Sequence, residues 1–395
     1  MEKIEDNEWS EKKFEIESPN SNNILAKPLK KRIYIILIMV IIIVSIAIIL
    51  NFIIFSGHKN GNKDEKTLED SWDISYKKAE EFINKLNLTE QINLLFGTQN
   101  MKAQSILITN QTEKQFLCVG QIDPFINEKV NFKGICMQDG PAGVRFANGT
   151  SISWQASINT ASTFNKNLMN KVGIAQGEEF YIRGINALLG PCANMMRSPQ
   201  GGRVWEAYGD DPFYTGFCAS EVIKGIQSKR VIATLKHFVG NDQETYRKAS
   251  SSNMDLQTLM DIYVEPFYRA IHYANLGSIM AAYNAINNTY CVENKFLLTD
   301  ILRNILGFKG FVMSDWWGVY SNHTDAINSG LDMNMPGGCK GNPRDEKHKY
   351  DNYGREHSYW THLEDFVKEK KVEEKSIKEA AIHIIAKMYG KLSKC

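Results

Sequence analysis

From Gly134 onward, short runs of apolar residues break off repeatedly into polar or charged ones. Gly134-Ile-Cys-Met-Gln-Asp139 leads into a Gly/Pro loop ending at Arg145, and Ala187-Leu-Leu-Gly190-Pro-Cys192 precedes the loop Arg197 to Glu206. Val231-Ile-Ala-Thr-Leu235 exits at Lys236 and His237, Ser278-Ile-Met-Ala-Ala282 at Tyr283 and Asn284, and Phe311-Val-Met313 at Asp315 and Trp316. Gly330-Leu-Asp-Met-Asn-Met-Pro336 reads as one more. Such runs, bounded by turn residues, read as strands buried on both faces. Amphipathic stretches at 167–183, 212–227, 255–275 and 299–306 fall between them. Strand alternating with helix predicts a parallel sheet. The fold class implied is α/β, a (β/α)8 TIM-type barrel, whose strand C-termini converge on one site. An open doubly wound sheet is the alternative. It would carry a Gly-rich dinucleotide turn, but no GxGxxG occurs, and Gly201-Gly202 is too short for a phosphate loop.

What precedes the barrel differs in kind. Residues 1–32 are polar and predict a disordered cytoplasmic tail. From Ile33 to Phe55 nearly every residue is apolar, Ser45 and Asn51 excepted. At ~1.5 Å per residue the run is long enough to cross a ~30 Å hydrocarbon core, and a single transmembrane helix is expected over 33–56. A cleavable signal peptide would be shorter and nearer the N-terminus. Lys27, Lys30, Lys31 and Arg32 on the N-terminal flank favour a cytoplasmic N-terminus and a lumenal or extracellular barrel domain. Asn-x-Ser/Thr sites at Asn87, Asn110, Asn148, Asn287 and Asn322 agree with that side. All seven cysteines also follow the apolar run; their spacings match no metal motif, and buried thiols and disulfides stay equally open. Residues 57–69 read as a linker and 70–395 as the barrel domain. That domain opens with helical periodicity over Lys77–Leu95 and closes with helices at Thr361–Lys370 and Ser376–Lys391, the last with a Ser376/Glu379 capping box. With 46 basic and 45 acidic side chains, the net charge of +1 gives no electrostatic case for nucleic acid.

Collected from the strand exits, Asp139, Arg145, Arg203, Lys236, His237, Tyr283, Asp315 and Trp316, with Arg247 a short loop beyond His237, form a candidate site for a neutral polyol. Carboxylates and guanidinium groups make charge-assisted hydrogen bonds to adjacent hydroxyls. Tryptophan faces, here Trp316 and Trp317, offer flat apolar area to sugar C–H surfaces. Taken singly, Asp139 is as readily a turn residue, His237 a satisfied core histidine and Arg203 a surface charge. Their joint placement at successive strand ends is what argues for a site.

The chain resembles the N-terminal barrel domain of family 3 glycoside hydrolases, the β-glucosidase branch. The resemblance rests on the helix Lys77 to Leu86 with the following Leu88 to Gly97, and on Asp139-Gly-Pro-Ala-Gly-Val-Arg145, Gly201-Gly-Arg-Val-Trp-Glu206, Gly209-Asp-Asp-Pro-Phe213, Lys236-His-Phe-Val-Gly-Asn-Asp-Gln-Glu244, Met280-Ala-Ala-Tyr-Asn284, Ser314-Asp-Trp316 and Gly330-Leu-Asp-Met333. The single-domain N-acetylglucosaminidase branch uses a His-Asp pair on a Gly-His-Gly loop, whereas this chain has Val239-Gly-Asn-Asp-Gln-Glu244 there. The resemblance implies an exo-acting, retaining β-glucosidase that releases terminal non-reducing β-D-glucosyl units from β-glucosides or cello-oligosaccharides, and the apolar run 33–56 would anchor it in a membrane. In that reading Asp315 is the nucleophile. Asp139, Arg145, Arg203, Lys236, His237, Arg247 and Tyr283 hold the sugar hydroxyls, and Trp316 forms an aromatic wall. No metal or organic cofactor is implied. The family's acid/base glutamate comes from a second α/β domain, and the chain ends at Cys395, where the barrel would end. Glu206, Glu244 and Glu293 do not match it. The expectation is therefore a donor from another domain or chain, or a catalytically impaired or truncated membrane-anchored glycan-binding protein that lacks the acid/base domain.

Overall fold

Helix and strand do alternate from Ile135 to Ser314. The computed structural model describes Met39 and residues 61–97, 118–145, 150–320, 323–337 and 360–389. Its main sheet has six strands in spatial order: β1 (Gly120–Ile122), β2 (Ile135–Asp139), β3 (Ala187–Leu189), β4 (Ile232–Phe238), β5 (Ser278–Ala281) and β6 (Phe311–Ser314). β2 to β6 run parallel. Each step between them is bridged by helix: α1 (Lys166–Ile182), α2 (Pro212–Ser228), α3 (Glu265–Ala274) and the helical segment Phe296–Ile305. Every residue of β3 to β6 is buried, as a sheet covered by helices demands.

Local chemistry sets the helix boundaries. Asn165 caps α1 by accepting from Leu168 N at 3.1 Å. Asp211 caps α2 by accepting from Tyr214 N at 2.5 Å, with Pro212 at the first helical position, where its missing N–H costs nothing. α1 and α2 pack closely because Gly173 and Gly225 lie at the crossing; a Cβ would sit 2.2 Å from Val222 O at the first and 2.4 Å from Asn170 O at the second. The expected helix Lys77–Leu95 is in fact two, Gly61–Ile83 and Leu88–Ile92, the second opened by a capping box between Asn87 and Glu90. The first begins inside the stretch expected to be a linker. Ser376, expected as a cap, lies within α4 (Glu374–Tyr389).

The fold class needs correction on two counts. Among the described residues the sheet is a half-barrel, not a closed eight-stranded one. β1 pairs antiparallel with β2, Gly120 opposite Met137. The connection between them holds a small hairpin, Phe125–Ile126 with Asn131–Phe132, and no crossover helix, so the chain returns antiparallel. The Cys118–Cys136 disulfide ties this pair. At the other edge, Gly330 to Pro336 contributes only single parallel bridges, Met333 to Met313 and Asn334 to Phe96. The ladder stops there because Met335 N–H goes to Ser314 Oγ at 2.8 Å, and Pro336 has no N–H to give. The second correction concerns the transmembrane helix. Residues 1–32 and 33–56, Met39 apart, lie outside the described residues. Among the described ones no helix is long and apolar enough to cross a membrane. The longest, Gly61–Ile83, carries Lys63, Asp64, Glu65 and Lys66 in its first two turns, charges too costly for a hydrocarbon core.

Candidate active site

Four of the five parallel strands deliver residues at or just past their C-terminal ends to one mouth. Asp139 is the last residue of β2, Lys236 and His237 lie near the end of β4, Tyr283 follows β5 and Asp315 follows β6. In β4 the register shifts between Lys236 and Phe238, an irregularity that lets two consecutive side chains reach the same cavity. That cavity holds about 440 Å³. All nine candidate residues line it: Asp139, Arg145, Arg203, Lys236, His237, Arg247, Tyr283, Asp315 and Trp316.

Opposite charges alternate around one wall. Arg145 Nη1 donates to Asp139 Oδ2 at 2.8 Å. Lys236 Nζ stands 4.0 Å from Asp139 Oδ1 and 3.9 Å from Glu206 Oε2, buried between the two carboxylates. Arg203 grips Glu206 with both arms of its fork, Nε to Oε1 at 2.8 Å and Nη2 to Oε2 at 3.0 Å. Burial alone would raise the Glu206 carboxyl; the charge of Lys236 and the hydrogen bonds and charge of Arg203 outweigh it and hold it below the ordinary range.

The third arm of Arg203 meets His237, Nη1 to Nε2 at 3.1 Å. A guanidinium only donates, so Nε2 accepts and the ring proton sits on Nδ1, which donates to Asn194 Oδ1 at 2.8 Å. Burial, with Arg203, Lys236 and Arg247 close by, pushes His237 well below the usual histidine range and leaves it neutral. The 3.6 Å approach of Nε2 to Asp315 Oδ2 is therefore not an ion pair.

Asp315 sits at the floor, 9% exposed. Its Oδ1 accepts from Trp316 N at 2.7 Å. Burial pushes its carboxyl above the ordinary range, and the Trp316 N–H and the charges of Arg203, Lys236 and Arg247 draw it part of the way back. Tyr283 donates its hydroxyl to Trp316 O at 2.8 Å, and its phenol is pushed well above its usual value by burial and by the Asp315 charge. Arg247 lies 4.6 Å over the Tyr283 ring while donating to Glu244 Oε2 at 2.7 Å. Trp316 anchors its indole N–H on Val119 O at 3.3 Å and presents the ring to the cavity. Among the described residues no cluster of His, Cys, Asp and Glu could hold a metal ion.

Residues 126–386 match the model of the glycosyl hydrolase family 3 N terminal domain. The chain belongs to glycosyl hydrolase family 3. It is 40% identical over 274 residues to probable beta-glucosidase F of Neosartorya fischeri, matching 68% of this chain and 30% of that protein. Against probable beta-glucosidase E of Aspergillus clavatus the identity is 40% over 275 residues, 67% of this chain and 24% of the relative. Among solved structures, the beta-D-glucoside glucohydrolase of Trichoderma reesei superposes with a TM-score of 0.69 at 34% identity, covering 81% of this chain and 41% of that one. Beta-glucosidase 3B of Thermotoga neapolitana, solved with glucose, gives 0.69 at 31% identity, covering 79% and 42%. The chain thus spans less than half the length of these family 3 relatives.

Sequence reasoning does not single out three residues of the site: Glu206 and Trp205, which line the cavity, and Asn194, which lines a small cavity next to it. From sequence Glu206 is one available carboxylate among several, although its spacing from Arg203 suits a pair. Trp205 at the rim, 44% exposed, had no signal beyond its neighbours. Asn194, on which His237 rests, lies just past β3 in a chain so rich in asparagine that the residue type carried no weight. Of the other carboxylates, Glu244 is held by Arg247, and Glu293 does not line the cavity.

Proposed function

We propose that this unit binds the terminal non-reducing glucosyl residue of a β-glucoside and cleaves its glycosidic bond with retention, Asp315 acting as nucleophile. The observation that carries the reading is the placement of Asp315. It is a buried carboxylate at a strand end, opening on a cavity walled by Trp316 and lined by groups tied up in charge-assisted pairs. A nucleophile must be ionised when it attacks, and Arg203, Lys236 and Arg247 favour that form against the cost of burial. Asp139, Arg145, Lys236, Arg203 and His237 hold the hydroxyls, and Arg247 with Tyr283 closes the side next to Asp315. Attack on the anomeric carbon forms the glycosyl-enzyme as the bond to the leaving oxygen breaks; water then releases the sugar. Retention requires a second carboxyl about 5–5.5 Å away as acid and base. Asp139 and Glu206, the other carboxylates of the cavity, are both paired with cations, which suits them to binding hydroxyls and not to donating a proton. A second domain or chain supplying the donor fits that arrangement. The Cys118–Cys136 disulfide supports placing the unit in an oxidising compartment.

The test is intact mass of the full chain after incubation with a 2-fluoro-glucoside carrying an activated leaving group. Such a group departs without protonation, so the assay interrogates the nucleophile apart from the acid. A covalent adduct mapped to Asp315 is expected. A folded chain that binds glucose and forms no adduct would turn the reading to glycan binding.

A further inference from the structure

We propose that Asn194 is a positioning residue for the reaction at Asp315, locking His237 as the neutral imidazole protonated on Nδ1 so that Nε2 stays bare beside the nucleophile. The inference rests on Asp315 being the nucleophile.

One amide side chain handles every polar group of His237 except Nε2. Asn194 Oδ1 accepts from the His237 backbone N–H at 3.0 Å and from ring Nδ1 at 2.8 Å. Its Nδ2 donates to the His237 carbonyl at 3.1 Å. The Cys192 thiol adds a third donor to Oδ1 at 3.4 Å. This pattern also fixes which way the amide points, because the flipped orientation would set its NH2 against three donors and its oxygen against a carbonyl. Asn194 and His237 are 8% and 2% exposed, so water does not compete for these bonds.

The opposite tautomer has a specific cost. An Nε2–H would face the Arg203 Nη1–H at 3.1 Å, donor against donor. It would also lie 3.6 Å from Asp315 Oδ2, near enough to close into a hydrogen bond. That bond would stabilise the carboxylate in the ground state more than in the transition state, where its electron pair is already shared with the anomeric carbon and negative charge develops on the leaving oxygen, and would slow attack.

The charged and titratable groups around His237 agree with the lock. Arg203 comes from the turn after β3, Lys236 from β4 itself, Arg247 from the loop after β4, and Asp315 from the end of β6. Behind the ring, Asp242 and Glu244 line a small cavity with Cys192. Burial pushes the Cys192 thiol up to about 11, so it stays a donor to Asn194.

Two variants of the full chain, with ¹⁵N-labelled histidine, test this. Wild type should show His237 Nδ1 protonated and Nε2 bare. Asn194→Leu removes the acceptor and leaves Nδ1–H buried without a partner, a cost set against that of facing Arg203 Nη1–H with an Nε2–H. The expected result is loss of the single Nδ1–H state, part of the population now protonated on Nε2, and formation of the 2-fluoro-glucosyl adduct slowed roughly tenfold to a hundredfold. Asn194→Asp separates positioning from packing. As a protonated acid it reproduces the amide, its C=O accepting from Nδ1–H and its O–H donating to the His237 carbonyl. Once ionised, it repels that carbonyl and draws His237 towards imidazolium. The adduct rate of Asn194→Asp relative to wild type should therefore start near one at acid pH and fall as pH rises. A merely structural role would lower that ratio equally at every pH. An unchanged His237 tautomer in Asn194→Leu, or a flat ratio for Asn194→Asp, overturns the proposal; if Asn194→Leu does not fold, the ratio decides. A wild-type chain that forms no adduct overturns the glycosidase reading and with it the catalytic role, while the ring-nitrogen spectra report separately on the tautomer lock.

Discussion

Two aspartates sit at opposite ends of β6, and they are used in opposite ways. Asp332 is 2% exposed and Asp315 9%, so burial does not distinguish them. Asp332 is saturated. Its Oδ2 accepts from Arg303 Nη2 at 2.5 Å and from Val312 N at 2.7 Å, and its Oδ1 meets His383 Nδ1 at 2.7 Å. Arg303 in turn donates to the carbonyls of Phe308 at 3.0 Å and Gly310 at 2.5 Å, tying the entry of β6 to α4. Asp315 takes the Trp316 N–H on Oδ1 and has the Tyr283 hydroxyl within reach, shared with Trp316 O, while its Oδ2 looks at a histidine nitrogen with no proton to give. A buried carboxylate whose bonds are all made holds a fold together; one left partly unsatisfied at a cavity is available for chemistry. What separates the two is the supply of donors.

Substitution at each end should break different things. Asp315→Ala is expected to lower adduct formation on the order of 10^4-fold or more while the chain stays folded, as read by mass spectrometry and circular dichroism. In wild type the adduct rate should fall as pH drops through the Asp315 carboxyl, above the ordinary carboxylate range because burial disfavours its charged form. Should Asp315→Ala unfold the protein, the contrast collapses, since Asp315 would then be structural like its counterpart. Asp332→Ala leaves Arg303 and the Val312 N–H without their acceptor. It should cost about 3–5 kcal/mol in urea denaturation, the usual penalty for removing one partner of a buried pair. A near-wild-type transition midpoint would show that the saturated cluster contributes little.

Lys236 sharpens the comparison from the ligand side. It is buried between Asp139 and Glu206 but stands 3.9 to 4.0 Å from each, at the outer edge of ion pairing. The geometry leaves its ammonium hydrogens room to bond a hydroxyl. Lys236→Ala should weaken binding of a glucose-like inhibitor by roughly 1.5–3 kcal/mol, the range for a hydrogen bond to a charged group. Calorimetry measures it directly, and unchanged affinity would remove Lys236 from the site.

The strand-exit pattern picks out nine residues that the structure brings to one cavity, and for a physical reason. Against an apolar strand, a lysine, histidine or aspartate at the C-terminal end stands out, and a parallel sheet brings such ends together. The half-barrel could not be read the same way. Gly120-Gln-Ile122 is too short to announce a strand, and its antiparallel direction depends on the missing crossover helix between Ile122 and Ile135. Leu331, Met333 and Met335 alternate like a strand, yet backbone donors run out at Met335 and Pro336. Asn194 was illegible because its role depends on a partner 43 positions away. No local spacing encodes such a contact.

Asp242 is the intermediate case, and it yields the smallest expected effect. Its Oδ1 accepts from Met195 N at 2.6 Å, while Oδ2 is buried and, among the described residues, without a hydrogen-bond partner. Burial pushes the carboxyl up to about 6 from 3.8, with the Met195 N–H and Arg197 opposing. A carboxyl raised by folding is an ionisation that folding disfavours. The penalty is absent below the unfolded value, grows as pH rises between the two, and is complete above the folded one. Asp242→Asn keeps an oxygen for Met195 N–H and removes the charge. It should leave stability unchanged near pH 4 and raise it above pH 6 by about 1–2 kcal/mol, less than the ~3 kcal/mol of a fully buried group because the residue is partly exposed. Urea denaturation of both proteins at the two pH values measures the difference. A gain equal at both would mean the asparagine acts through packing, and a loss above pH 6 would place Asp242 with Asp332 among the saturated carboxylates.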